Sequence, residues 1–344
     1  MSTFQERETG RLSSEELETF HRQGYLVLPG FFRPEPLLER ARELVSNFDV
    51  SLHPMTKFTT GDGGGGGGGG EDDGQDHVGD RYFLESGDKV RHFFEEGAFD
   101  PVTNRLVRPL DRSINKVGHA LHVLDPVFSQ FSFQQKVVEV ARSLSVHSDP
   151  KVLQSMIICK QPSIGGAVPP HNDSTFLYTD PPSALGFWFA LEDCSASNGC
   201  LSFLPGSHRW PKLGDTVGGR GTSVTPRPRD DGKDDLLGPQ RGVNKRFVRK
   251  DPINPDAGTH FEILSEDEEA VWDDQKAVVE ECPAGTLVLI HGSVLHKSEK
   301  NLSERSRYIY TYHMIEGDES KAKYDSKNWL QPTEEMPFQS LYRQ

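Results

Sequence analysis

The spacing of apolar residues changes period along this chain. Near the start, Ser13 followed by Glu16 has the form of a capping box, and Leu17 and Phe20 repeat behind it at helical spacing. This predicts a helix that Gly24 stops, followed by a short strand over Tyr25-Leu26-Val27-Leu28. Pro34 or Pro36 opens a second helix, in which Leu37, Leu38, Ala41, Leu44 and Val45 form one apolar face. From 151 to 209, and again from 281 to 313, the pattern turns to short β-like runs broken by Gly and Pro. The best of these are 152–159, 186–191, 200–204, 286–290 and 307–313. Many short strands with turn signals between them predict an all-β sandwich or barrel, decorated by the N-terminal helices.

Two stretches interrupt this pattern. Residues 61–80 hold eight consecutive glycines, 63–70, and then an acidic patch. Poly-glycine has maximal backbone entropy and nothing to bury, so a disordered loop is expected. A phosphate cradle is the rival reading, but no strand precedes the run and no Lys-Ser/Thr follows it. Residues 212–260 are rich in Gly, Pro, Asp, Lys and Arg and poor in apolar side chains. They read as a surface insertion, with a lid over a site as one expected role.

Composition narrows the class. At 344 residues the chain has room for about two domains of roughly 150 residues, although β-rich enzymes of this size are often single units. Lys plus Arg is 38 against 52 for Asp plus Glu, a net charge of −14. That balance disfavours phosphate-backbone binding and capture by an anionic membrane. The four cysteines, Cys159, Cys194, Cys200 and Cys282, form no CxxC pair and read as neither zinc ribbon nor disulfide scaffold. The N-terminus lacks a signal-peptide layout, and apolar runs such as 185–191 and 287–290 are too short to span a bilayer. The last four residues, Leu-Tyr-Arg-Gln, are not a peroxisomal address. A cytoplasmic protein with a small-molecule partner is expected; no heptad or long exposed apolar pattern sets an oligomeric state.

Candidate chemistry begins at His171-Asn172-Asp173, just after two Gly and two Pro. In an extended segment, residues two apart project to one face, so imidazole and carboxylate can meet one ion. Alone the tripeptide is weak, since exposed polar pairs are the norm. Two nitrogens and one carboxylate make the facial triad of non-haem Fe(II) oxygenases, and the C-terminal β region offers His291, His296 and His313 for the second nitrogen. After His296 come a turn with Asn301 and Ser303 and then Arg307, opening a strand. An Arg aimed into a barrel needs an anion, and a dicarboxylate provides one through a bidentate contact. An Arg at the rim, paired with a surface carboxylate, is the alternative.

Taken together, these blocks resemble the phytanoyl-CoA dioxygenase family. The resemblance rests on His171-Asn-Asp173, on 198–208 (Asn-Gly-Cys-Leu-Ser-Phe-Leu-Pro-Gly-Ser-His), and on His291-Gly-x3-His296-x10-Arg307. Further blocks carry it: 82–89, 113–122, Gln154-Ser-Met156, 176–179 and 328–332. It runs over nearly the whole chain, except the 63–70 run and much of 212–260. It implies a mainly β protein with flanking helices around a double-stranded β-helix (jelly-roll, cupin-like) core, forming a single Fe(II)/2-oxoglutarate dioxygenase domain over 1–344.

Carried over residue by residue, His171, Asp173 and His296 match the iron ligands, and Arg307 matches the arginine that binds the distal carboxylate of 2-oxoglutarate. Lys116, Met156 and Trp188 match cosubstrate-pocket positions by their place within the blocks. Trp188 also has a plain core reading in Phe187-Trp188-Phe189, where neighbours alternate between faces. No catalytic residue separate from the iron site is expected. The implied reaction uses Fe(II), 2-oxoglutarate and O2 to hydroxylate a small molecule, releasing succinate and CO2. Related halogenases lack the carboxylate that Asp173 provides, which favours hydroxylation. Two other classes fit the same residues: a non-catalytic jelly-roll module binding a metal or anion, and a cupin metalloenzyme independent of 2-oxoglutarate. His208, His119, His122 and His291 are expected in supporting roles, and His313, on the face of Arg307 by period-two counting, approaches the pocket.

Overall fold

The computed structural model describes residues 6–52, 56–58, 80–103, 105–209, 243–264 and 270–342. The stretch 61–79 of the expected glycine-rich loop and 212–242 of the expected insertion lie outside the described residues. The capping box forms as read. Ser13 Oγ accepts from Glu16 N at 3.2 Å and the Glu16 carboxylate accepts from Ser13 N at 2.7 Å, which opens α1, Ser14–Gln23. Gly24 ends it with φ 84, and a Cβ there would lie 2.5 Å from His208 Nδ1, so backbone and space both demand glycine. In α2, Glu35–Ser46, Leu37, Ala41 and Val45 are buried on one side. Two further helices, α3 (Pro126–Ser132) and α4 (Gln135–Leu144), lie in a region where the sequence reading marked no helix. Asp125 caps α3 by accepting from Val127 N and Phe128 N, and α4 buries Val137, Val138, Val140, Ala141 and Leu144.

The strands are β1 (Tyr25–Leu28), β2 (Val90–Glu95), β3 (Ile114–His119), β4 (Pro150–Lys160), β5 (Val168–His171), β6 (Leu185–Ala190), β7 (Leu201–Phe203), β8 (Lys245–Arg249), β9 (Thr259–Ile263), β10 (Val278–Glu280), β11 (Leu287–His291), β12 (His296–Ser298) and β13 (Arg307–Glu316). The runs read from the sequence at 152–159, 186–191, 200–204, 286–290 and 307–313 are the cores of β4, β6, β7, β11 and β13. The major sheet has the order β1-β11-β6-β13-β4-β3-β2, and the two-residue strands Lys57–Phe58 and Gln339–Ser340 complete it. A four-stranded minor sheet has the order β10-β7-β12-β5, all antiparallel. Strands distant in sequence lie side by side in both, as a jelly roll requires.

The two faces of the major sheet differ because side chains alternate along each strand. One face sends Leu26, Leu28, Phe187, Phe189, Leu287, Leu289, Tyr308, Tyr310 and Tyr312 against the four helices. The other sends Trp188, Ala190, Val288, Ile290 and Ile309 toward Leu201 and Phe203 of the minor sheet. The described end of the expected insertion is the β8–β9 hairpin, with Phe247 opposite Phe261. Its Arg249 donates to the carbonyls of Trp329 and Leu84 at 2.8 and 2.9 Å, which ties the hairpin to the body. Among the described residues no helix is long and apolar enough to cross a membrane.

The helix-side core gives a direct test of this packing. Phe189 is 0% exposed and its ring meets Phe32, Phe131 and Tyr310 at centroid distances of 5.6, 4.9 and 6.0 Å. Phe189→Ala is expected to cost about 3–5 kcal/mol by urea unfolding. Val102→Ala, at a position 90% exposed, is expected to stay within about 0.5 kcal/mol of the parent.

Candidate metal and cosubstrate site

The site is built first by strand register. β5 and β12 pair so that His171 and His296 are direct partners, which sets their rings 4.2 Å apart between centroids. The chain then turns: Asn172 Oδ1 accepts from Thr175 N at 3.0 Å, opening the short turn Asp173–Thr175, and Ser174 N donates to Gly292 O at 2.8 Å. That turn brings Asp173 Oδ1 to 3.7 Å from Nε2 of both His171 and His296. The candidate ligand atoms of these three residues all lie within 4.8 Å of one another, and they form the single such group among the described residues.

Hydrogen bonding fixes what this cluster presents. His171 Nδ1 lies 2.9 Å from the Pro169 carbonyl and His296 Nδ1 lies 3.1 Å from the Val294 carbonyl. A carbonyl only accepts, so each Nδ1 carries the proton and each Nε2 turns a lone pair toward Asp173. Burial, and then the neighbouring His296, pushes His171 down to about 4. Burial alone would raise the Asp173 carboxyl, but His313, His296 and His171 around it hold it well below the usual carboxylate range. Two imidazoles and a carboxylate converging on one point form the kind of donor set that a divalent cation takes.

Behind the cluster, the inward face of the major sheet carries the other candidates. Arg307 begins β13, 2% exposed, and its Nε has no hydrogen-bond partner. No carboxylate pairs with it among the described residues, and its Cζ lies 5.7 Å from the centre of the Trp188 ring. The rim reading is therefore excluded for Arg307: it is a buried cation, and burial pushes its pKa down. Its partner across the ladder is Lys160, whose ammonium donates to the carbonyls of Gly166 and Ser298 at 2.8 and 3.1 Å and to that of Glu299. Burial, and then Arg307, pushes Lys160 down to about 6.

Thr311, two ladder steps from Arg307, pairs with Met156 on one side and Trp188 on the other. Met156 pairs in turn with Gly118, and Lys116 pairs with Ile158. Residues directly opposite in an antiparallel ladder share a face, so Arg307, Trp188, Met156 and Lys116 all look toward the minor sheet. Trp188 serves both of its readings, since it packs in the inter-sheet core and walls Arg307. Lys116 is buried with its ammonium 5.8 Å from the ring centres of Phe83 and Phe93, and burial pushes its pKa well down.

Of the other candidate histidines, all but His313 stand apart from the cluster. His291 Nδ1 accepts from Ser293 N at 3.1 Å, and its ring lies 4.9 Å from that of His208. His119 ends β3 and meets Ser86 Oγ at 2.7 Å, inside a box of Phe83, Phe93 and Trp329. His122 lies in the one-turn helix Leu121–Leu124 with Nδ1 2.8 Å from Ser155 Oγ. His313 does reach the site, 3.3 Å from Asp173 Oδ2. The sequence reading passed over Gln154 beside it, although Gln154 stands two residues before Met156 and so on the same face.

Fold and site together define a jelly-roll protein with a two-histidine, one-carboxylate cluster at the mouth of its sandwich. The family model described as phytanoyl-CoA dioxygenase (PhyH) matches residues 20–309, and the chain belongs to that family. It is 42% identical over 335 residues to phytanoyl-CoA dioxygenase domain-containing protein 1 of Bos taurus, covering 96% of this chain and 99% of that one. It is 38% identical over 326 residues to phytanoyl-CoA dioxygenase of Arabidopsis thaliana, covering 94% and 95%. Solved structures share the fold at lower identity. The non-heme alpha ketoglutarate dependent carbocyclase SnoK from nogalamycin biosynthesis has a TM-score of 0.52 at 17% identity, covering 94% of this chain and 90% of its own. EctD from S. alaskensis with bound Fe has a TM-score of 0.50 at 16% identity, covering 91% and 79%.

Buried neutral histidines near the site set an acid limit on stability. Burial pushes His122 and His291 each down to about 3. An unfolded histidine titrates near 6.5, so below that pH the unfolded chain binds more protons than the folded one. Stability is thus expected to hold above about pH 6.5 and to fall toward pH 3, by up to about 1.4 kcal/mol per pH unit for each histidine. Urea midpoints at pH 7.5 and 5.0 read this directly, and His122→Gln should make the loss shallower. An unchanged slope in that variant would assign the acid sensitivity to other groups.

Proposed function

We propose that this protein is a dioxygenase that uses Fe(II), 2-oxoglutarate and O2 to hydroxylate a small molecule, with succinate and CO2 as co-products. The observation that carries the reading is a buried guanidinium with no carboxylate paired to it among the described residues, Arg307, on the sheet face that looks toward the His171, Asp173 and His296 cluster. Membership of a family named for a dioxygenase supports it. In this reading His171, Asp173 and His296 hold the metal, and the carbonyls of Pro169 and Val294 keep both imidazoles in the ligating tautomer. A facial triad leaves three positions open, enough for a chelating 2-oxo acid and dioxygen. Iron, when bound, supplies the activation of dioxygen that is coupled to decarboxylation of the 2-oxo acid.

The protein's own share is positioning. Arg307 takes the far carboxylate of 2-oxoglutarate through paired N–H groups, and Trp188 blocks the guanidinium's retreat. Met156 and Lys116 line the same pocket. Asp173 fills the carboxylate position, which favours hydroxylation over halogenation. The chain works as one unit, and the β8–β9 hairpin serves as its lid: Phe247 and Phe261 meet Phe176, and Phe176 lies 6.0 Å from the His171 ring.

Iron-dependent succinate formation from 2-oxoglutarate in air tests this reading. Asp173→Ala and His296→Ala are expected to abolish both turnover and iron retention while the fold persists. Arg307→Met should keep iron but raise the 2-oxoglutarate requirement about 30-fold or more, the equivalent of roughly 2 kcal/mol. Because it removes an unpaired buried charge, the same variant should melt no lower than the parent without cosubstrate. Iron-loaded parent protein that neither forms succinate nor binds 2-oxoglutarate would favour a binding module instead. Metal-dependent catalysis without 2-oxoglutarate binding would favour the cupin alternative.

A further inference from the structure

We infer that His313, held in one tautomer by Gln154, is a positioning residue that orients Asp173 and leaves a single oxygen of it free to ligate. The inference rests on the proposed metal site and goes beyond it. In the major sheet His313 is the ladder partner of Gln154 in β4 and of Gly186 in β6, so the three form one row across three strands. Asp173 reaches this row from the minor-sheet side. Its Oδ1 faces His171 and His296, and its Oδ2 lies 3.3 Å from His313 Nε2. Among the described residues Oδ2 makes no hydrogen bond of full geometry, with His313 or otherwise, so the 3.3 Å approach of the imidazole is a close polar contact on an unsatisfied oxygen.

Donor and acceptor roles then follow in sequence. A carboxylate oxygen only accepts, so the tautomer that suits this contact puts the ring proton on His313 Nε2 and leaves Nδ1 as an acceptor. Gln154 Nε2 stands 3.5 Å from that Nδ1, and an amide NH2 only donates. The row therefore runs in one direction, Gln154 to His313 to Asp173, and the opposite tautomer would set two bare acceptors against each other. Gly186 leaves the gap for this meeting. A Cβ there would lie 3.3 Å from Asp173 Oδ2 and 3.4 Å from both Cδ2 and Nε2 of His313.

The consequence is a restriction on denticity. With Oδ2 engaged from the sheet, only Oδ1 faces the two ligating imidazoles, so the carboxylate occupies one coordination position. Released from His313, it can swing and chelate with both oxygens, closing a position that cosubstrate or dioxygen needs.

The test uses the full chain with Mn(II) as a redox-stable probe, read by the loss of its free-ion magnetic resonance signal, followed by calorimetric 2-oxoglutarate titration of the loaded protein. His313→Ala is expected to weaken Mn(II) binding by about 10–100-fold and to weaken 2-oxoglutarate binding as well. His313→Gln keeps an N–H donor and should recover most of both, while Gln154→Leu should show a smaller loss in the same direction. These two variants decide the matter if His313→Ala fails to fold. Parent-like Mn(II) affinity in folded His313 and Gln154 variants would overturn the inference. Equal loss in His313→Ala and His313→Gln, with one fewer imidazole nitrogen coupled to the bound Mn(II), would also overturn it by making His313 a ligand. Failure of the parent chain to bind Mn(II) would instead overturn the metal-site reading on which it rests.

Discussion

The alternation of side chains along β13 is the constraint from which the rest of this structure follows. All ten residues of the strand are buried, so neither face can be given to solvent. One face, Tyr308, Tyr310 and Tyr312, is bulky and aromatic and closes the core beneath the helices. The other, Arg307, Ile309, Thr311 and His313, carries the strand's inward polar side chains and looks into the sandwich. A slip of one residue would send the guanidinium into the aromatic core and a tyrosine into the site, so register and chemistry are fixed together.

A second pairing, β5 with β12, does for the His171, Asp173 and His296 cluster what β13 does for the polar face around Arg307. Its strands are only four and three residues long, yet they place His171 beside His296 without help from either side chain. The hydrogen bonds from each Nδ1 to a carbonyl two residues earlier are local and come with the strand itself. Asp173 differs, because its position depends on the Asn172 turn, on the Gly292 carbonyl and on His313 from the opposite sheet. It is the member of the cluster most dependent on tertiary contacts.

The charge distribution at the pocket's inner end points the same way. Arg307 and Lys160 are ladder partners, both basic and both buried. Lys160 is satisfied by backbone carbonyls, whereas Arg307 lies against the ring of Trp188 and its Nε has no hydrogen-bond partner among the described residues. A fold tolerates an unpaired buried cation when a ligand completes it, since the unfavourable burial then becomes selectivity for an anion.

Much of this was legible in the sequence, for a local reason. The capping box at Ser13, the stop at Gly24, the five longer strand runs and the His171-Asn172-Asp173 tripeptide are all set by residues within one turn or one strand of each other. Period-two counting from Arg307 also put His313 on the right face. The short strands β5, β10 and β12 carry too few residues to show a period, and β2 and β3 are buried on both faces over most of their length, so no alternation marks them. The sequence alone also left three histidines open for the second nitrogen, and only the resemblance to a family chose His296. What tertiary structure decided was the meeting of distant segments: His171 with His296, Gln154 and Gly186 with His313, and Arg307 with Trp188. Such meetings depend on which strands pair and in what register, and that is settled by the burial of whole faces, which no local stretch of sequence contains.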